Sequence, residues 1–334
     1  MLPNEPQPSE GEMRLEDVLG VLNTVIIKNH EAALGAFLAR ENASQWVIAS
    51  DYVIGGAGRY RDAYCYTIYP IYGELETTLN SVRASLPRDL KKTVTISTEA
   101  VKFLRSARHF SFCFVLRQGQ TLFGSIGAVR DSLDLTIEMV EARSGWAEQL
   151  AALKRLRQKA RAKNFNVKLL SDGVLASLFA AVIAMFVTKL ASAALVSWFS
   201  DRDSMVISYN KIAFDLLGMH FYQACHEFQV PYGTVKLAVG DMSAAAWYDE
   251  MVRIPDFLAG ALSAFDRETR GVATEKHLDL LTKVVSDAAN IAVIEVDVTQ
   301  SSFGARSLLL FREGSVRNGP GCSAEYATGE GSVR

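Results

Sequence analysis

The chain has 334 residues, with 35 Lys and Arg against 37 Asp and Glu, a formal net charge of −2 and 49% hydrophobic residues. That balance excludes a generally basic nucleic-acid coat, and the apolar share is enough for a large globular core. Cys65, Cys113, Cys225 and Cys322 lie far apart without C-x-x-C or Cys/His spacing, so they argue against structural zinc and for reduced thiols in a cytoplasmic protein.

Residues 1–14 carry three prolines and three glutamates among few apolar positions, and form an expected disordered lead-in rather than a secretory signal. Apolar residues at helical spacing predict one or two helices over 15–40. A strand follows at 46–54, then a turn at Gly55-Gly56-Ala57-Gly58 and a second strand at 62–69 ended by Pro70, together a hairpin. Helices are predicted at 74–86 and 97–107, and a strand at 109–116 with Phe110, Phe112, Phe114 and Leu116 on one face. One long helix is expected over 132–162, its stripe of Trp146, Leu150, Leu153 and Leu156 facing a core. Further helices are placed at 174–189, 205–228, 243–265 and 276–289, and strands at 193–199, 234–239, 291–298 and 307–311. The Gly/Ser-rich stretch 314–334 reads as a flexible tail. The whole predicts one elaborated α/β domain over 15–313, a mixed sheet with helices on its faces.

From Gly173 to Phe199 the single charge is Lys189, and the run approaches the length of a membrane span. Lys189 lies well inside it, Ala and Ser dominate 191–197, and no aromatic belts frame its ends. A buried helix followed by a buried strand is therefore expected, with no membrane partner.

Few motifs carry chemistry. Gly55-Gly56-Ala57-Gly58 follows a strand, but Arg61 stands where a dinucleotide loop needs its third glycine, so a hairpin turn is the better assignment. His220 and His226 are six apart and do not share a helix face, and G-x-S-x-G does not occur. The basic run Lys154, Arg155, Arg157, Lys159, Arg161 and Lys163 is a candidate for steering a phosphate backbone, although a solvated helix face has the same composition.

The acids are more informative. Asp51 follows an apolar strand start, Asp201 and Asp203 follow the strand ending in Trp198-Phe199, and Asp256 lies within Arg253-Ile254-Pro255-Asp256-Phe257-Leu258-Ala259-Gly260-Ala261-Leu262. Hard oxygen ligands delivered by separate elements suit Mg²⁺ or Mn²⁺. Taken singly each acid has an ordinary alternative; Asp203, before Ser204-Met205, fits a helix N-cap.

The Asp256 segment resembles the closing helix, Gln-x-Ala-Asp-x-x-Ala-Gly, of a bacterial family of uncharacterised RNase H-like proteins. Asp201-Arg202-Asp203-Ser204-Met205 is similar to the family's middle acid region, and Gly240-Asp241-Met242-Ser243 to the strand exit before its final helix. The family's first strand carries Asp-Glu-x-Gly; here Tyr52 stands at the Glu, Arg253 at the Gln and Pro255 at the Ala. The resemblance implies an RNase H-like fold and metal-dependent phosphodiester hydrolysis on nucleic acid, with Asp51, Asp201 and Asp256 holding Mg²⁺ or Mn²⁺ and Asp203 as an alternate ligand. Tyr52 in place of the acid leaves the alternative of a non-catalytic binding or scaffold protein.

Overall fold

The computed structural model describes residues 14–73, 75–143, 145–240, 247–299, 302–312, 322–326 and 331–333. Helices α1 (Leu15–Asn29) and α2 (Glu31–Glu41) lead into strand β1 (Gln45–Val53), which turns back as β2 (Arg61–Ile71). Gly55, Gly56 and Gly58 in that turn have φ of 65°, 100° and 72°, the left-handed backbone that glycine adopts without steric cost. Helix α3 (Leu75–Ser85), a 3-10 turn at Leu90–Lys92 and α4 (Thr98–Leu104) precede β3 (Phe110–Arg117). Then come α5 (Ile126–Glu141), α6 (Ala147–Lys159), α7 (Val167–Ala191), β4 (Leu195–Ser200), α8 (Ser204–Glu227), β5 (Lys236–Val239) and α9 (Arg253–Ser263). Helix α10 (Glu275–Leu280) runs into a wider turn at Leu281–Val285, followed by β6 (Ile291–Val298), β7 (Phe303–Arg312), β8 (Cys322–Tyr326) and β9 (Gly331–Val333).

The strands form one mixed sheet in the order β5-β4-β1-β2-β3-β6-β7-β8, with β9 also on β7. β1, β2 and β3 are an antiparallel meander; β4 is parallel to β1, β5 to β4, and β6 to β3. Strand alternation then divides the core in two. Trp46, Ile48, Tyr52, Phe112 and Trp198 meet α1, α2, α7 and α8 on one face. Val47, Ala49, Cys65, Cys113 and Phe199 meet α3, α4, α9 and α10 on the other. A helical pair, α5 and α6, packs beside the N-terminal part of α7 and on α8.

Helix α7 is buried from Leu170 to Thr188, apart from Val174, and beyond Asp172 no charged residue interrupts that stretch. It is long and apolar enough to cross a membrane, and 78% of its most hydrophobic window is inside the protein. Four expectations change. The predicted helix 132–162 is two helices, because Gly145 (φ 89°) turns the chain between α5 and α6. β2 continues through Pro70, which pairs with Trp46. The ladder to β3 stops at Ile68, so β2 has a neighbour on one side only there and loses nothing to the missing N–H. The helix expected over 243–265 starts only at Arg253, and residues 241–246 lie outside the described ones. The 314–334 stretch, expected loose, supplies β8 and β9.

Candidate functional site

Asp51 sits near the C-terminal end of β1, and its side chain points with Val47 and Ala49 to the face that α9 covers. Asp201 follows the last residue of β4, in register beside it: Ser50 lies opposite Ser200, and the Asp201 N–H donates to the Ser50 carbonyl at 2.9 Å. Carboxyl ends of parallel strands are where ligands gather in open α/β sheets. Helix α9 crosses this edge against β1 and β2, and carries Asp256 to Asp51.

Gly260 makes that approach feasible. A Cβ there would meet Leu90 Cδ2, so with any other residue the Leu90 side chain would have to turn aside for α9 to lie against the Leu90 turn. The same turn then donates the Leu90 N–H to Asp256 Oδ2 at 3.3 Å.

The Asp51 and Asp256 carboxyls face each other, and Asp51 Oδ1 accepts the Tyr52 N–H at 2.7 Å. Burial, and then the neighbouring Asp256 and Asp201 charges, hold the Asp51 carboxyl well above the usual carboxylate range. Burial also raises Asp256, opposed by the Leu90 N–H. Both carboxyls are thus held above the usual carboxylate range, as expected of two acids that face each other away from solvent.

This is unlike every other buried acid in the described residues. Asp62 and Asp172 are both ion-paired to Lys168, and Glu295 to Arg61 and Arg306. Asp51 is 9% exposed and has a second carboxyl where the others have a cation. Among the described residues neither Asp51 nor Asp256 forms an ion pair. No group of three or more His, Cys, Asp or Glu there is gathered closely enough to enclose a metal ion. Asp201 is exposed, at the mouth of the site. Two facing carboxyls with a third acid alongside are hard oxygen donors, the type that would suit Mg²⁺ or Mn²⁺.

Asp203 does not join them. Its carboxylate accepts the Met205 N–H at 3.0 Å as the N-cap of α8, the ordinary role its sequence position allows. Tyr52 points to the opposite face, its hydroxyl 2.7 Å from Ser50 Oγ and 3.1 Å from Ser200 Oγ. An acid at position 52 would not reach the Asp51–Asp256 pair, so the departure from Glu removes no ligand from it.

The basic run is split in its roles. Lys154 pairs with Glu141, Arg157 grips Asp134 through two bonds of 2.7 Å, and Lys159 reaches Asn210 at 3.4 Å. Arg155 feels Asp215, while Arg161 and Lys163 are exposed. Arg157 is therefore half of the clasp between α5 and α6, not a free phosphate contact.

Sequence reasoning missed a cluster of arginines next to Asp201. Arg83, Arg88, Arg202 and Arg253, with Asp249 and Glu250, line a depression of about 480 Å³ that Asp201 also borders. They come from three separate segments, and no local spacing reveals them. Of Gly240-Asp241-Met242-Ser243, only Gly240 falls in the described residues. No protein-family model, curated protein or solved structure matches this chain.

Proposed function

We propose that this chain is an RNase H-like domain that hydrolyses phosphodiesters in nucleic acid, using Mg²⁺ or Mn²⁺ held by Asp51 and Asp256 with Asp201 alongside. The observation that carries this is the facing pair of buried Asp51 and half-buried Asp256, neither of which forms an ion pair among the described residues. Two facing carboxyls largely removed from solvent cost stability, and a divalent cation is a partner that turns the cost into binding. The centre of the sheet supports the fold assignment: an antiparallel β1–β2–β3 meander followed outward by parallel β4 and β5 is the arrangement an RNase H-like domain is built on.

When bound, the ion supplies a water of lowered pKa and positive charge beside the phosphoryl oxygens. The chain's own residues orient it: Tyr52 N–H fixes one Asp51 oxygen and Leu90 N–H one Asp256 oxygen. Water oxygen bonds to phosphorus as the ester P–O bond breaks, and a proton from that water ends on the leaving alkoxide. A cytoplasmic setting belongs to the same proposal, supported by the free thiols of Cys65, Cys113 and Cys225.

The test is titration calorimetry with Mn²⁺, beside cleavage of labelled oligonucleotides. Wild type should bind Mn²⁺ saturably, and Asp51→Ala or Asp256→Ala should abolish binding and cut cleavage by about 100-fold or more. Cleavage unchanged in both variants would refute the site. A second assignment, a non-catalytic binding protein, is favoured by the exposed position of Asp201, which leaves two acids where a catalytic ion needs more ligands. Absence of saturable Mn²⁺ binding by wild type would select it.

A further inference from the structure

The arginine-lined depression beside Asp201 has an uneven internal balance. Arg202 is matched by Asp249, with bonds of 3.0 and 3.2 Å. Arg83 and Arg253 both reach Glu250 at 3.3 Å; Arg83 also pairs with Glu76 at 3.5 Å and donates to Asn80 at 2.7 Å, and Arg253 donates to the Leu86 carbonyl at 2.8 Å. Arg88 is exposed and, among the described residues, forms neither an ion pair nor a hydrogen bond. It also lines a second hollow, of about 560 Å³, with Asp89, Lys92 and Thr93, so its guanidinium stands on the ridge between the two. That ridge belongs to the segment that continues into the Leu90 turn under Asp256.

Arg83, Arg88 and Arg253 crowd one another. After burial, the charges of Arg83 and Arg88 are among the influences that pull the Arg253 guanidinium below its ordinary range. Like charges held that close are relieved by an anion, and a planar guanidinium fork matches phosphate oxygens in pairs. An anion entering at Arg88 would have the acids of the neighbouring site on one flank, so it would be a group next to the reacting one and not the reacting group itself.

We propose that this depression binds a backbone phosphate of an oligonucleotide, adjacent to the phosphodiester at Asp51 and Asp256, with Arg88 as the contacting residue and Arg202 and Arg253 as its charged walls. That the ligand is an oligonucleotide rests on the hydrolase assignment; the phosphate chemistry rests on the arginines.

Fluorescence anisotropy with a labelled oligonucleotide, in EDTA and over a range of salt, tests it without cleavage. Arg88→Ala should weaken binding about tenfold at low salt. It should also lower the slope of log K against log salt by about one. Arg88→Lys should keep the slope and recover part of the affinity, since it restores the charge without the fork. Mn²⁺ binding to Arg88→Ala should equal that of wild type. Three outcomes would overturn the proposal: equal affinity and slope in Arg88→Ala and wild type, binding of inorganic phosphate without binding of the oligonucleotide, or loss of Mn²⁺ binding in Arg88→Ala. If wild type fails to bind Mn²⁺ but Arg88→Ala still weakens the oligonucleotide, hydrolysis falls and the phosphate site stands.

Discussion

Asp51 shows what one buried carboxyl does when its neighbour is another. Its raised pKa means that the folded state favours the protonated form, so its contribution to stability is present at low pH and is lost as pH rises through the folded value. At neutral pH without divalent cation the pair is therefore a liability. Asp51→Asn should raise the melting temperature of the metal-free protein, by an amount corresponding to about 1–3 kcal/mol. It should also erase any rise on adding Mn²⁺, which differential scanning fluorimetry with and without the ion would show. A lower melting temperature in the metal-free variant would mean that the charge is compensated after all. The residue types at this site were legible in the sequence, since three acids on separate apolar elements stood out. Their pairing was not, because it depends on register: Ser50 opposite Ser200 brings Asp201 beside Asp51, and only the packing of α9 decides which turn of that helix meets β1. Asp203 was legible both ways, and in the fold its carboxylate caps α8 at Met205.

At the scale of elements, close approaches carry the architecture. A Cβ on Gly173 of α7 would fall 2.8 Å from the Met205 carbonyl oxygen, a backbone atom of α8 that cannot swing aside. Gly173→Ala should thus separate α7 from α8 and cost about 1–3 kcal/mol in chemical denaturation, against the usual gain from replacing a helical glycine. α8 itself is broken at Ser208–Lys211. Tyr209, Asn210 and Lys211 have φ of 52°, 61° and 61°, a left-handed run without glycine. Tyr209 is held there by stacking on Phe165 at 5.0 Å and by a bond to the Asn166 carbonyl at 2.9 Å. Such a run costs on the order of 1–2 kcal/mol per residue. Tyr209→Ala removes both anchors and should let α8 straighten, read as a gain in helical circular dichroism. Neither this break nor the one at Gly145 follows from hydrophobic periodicity, which continues through both. The strands were easier to read, since Phe110, Phe112 and Phe114 alternate cleanly and share one face with Phe179, stacked on Phe114 at 4.1 Å.

For the molecule as a whole, acid sensitivity follows from its histidines. His30, His109 and His220 are buried, and burial lowers each to about 4 from 6.5. Each is satisfied in its neutral form, by Ser307, by the Leu104 carbonyl and by Ser177 respectively. A depressed histidine contributes stability that is present above pH 6.5 and lost as pH falls toward 4, because the unfolded chain takes up the proton first. At about 1.4 kcal/mol per pKa unit, three such rings together approach the net stability of an ordinary domain. Thermal melts should fall steeply between pH 6.5 and 4, and His220→Asn should flatten that slope. A melting temperature independent of pH across the window would contradict the buried neutral state. The carboxyls that burial raises, Asp51, Asp172, Asp215 and Asp256, oppose this trend locally. The α/β class with a mixed sheet was legible from the order of elements. The extension of β3 by β6 and β7 was not, since nothing local tells a late strand which edge to join.

Helix α7 has a consequence for how the chain must be made. Taken alone it cannot be told from a segment that inserts into a lipid bilayer, and only its neighbours in the fold distinguish it. α1, α2 and the three-strand meander precede it and are already synthesised when it emerges, but α8, its most extensive partner, follows. A nascent chain halted before Ser204 would therefore leave one flank of a membrane-grade helix bare, open to capture by insertion machinery or chaperones until the next two dozen residues arrive.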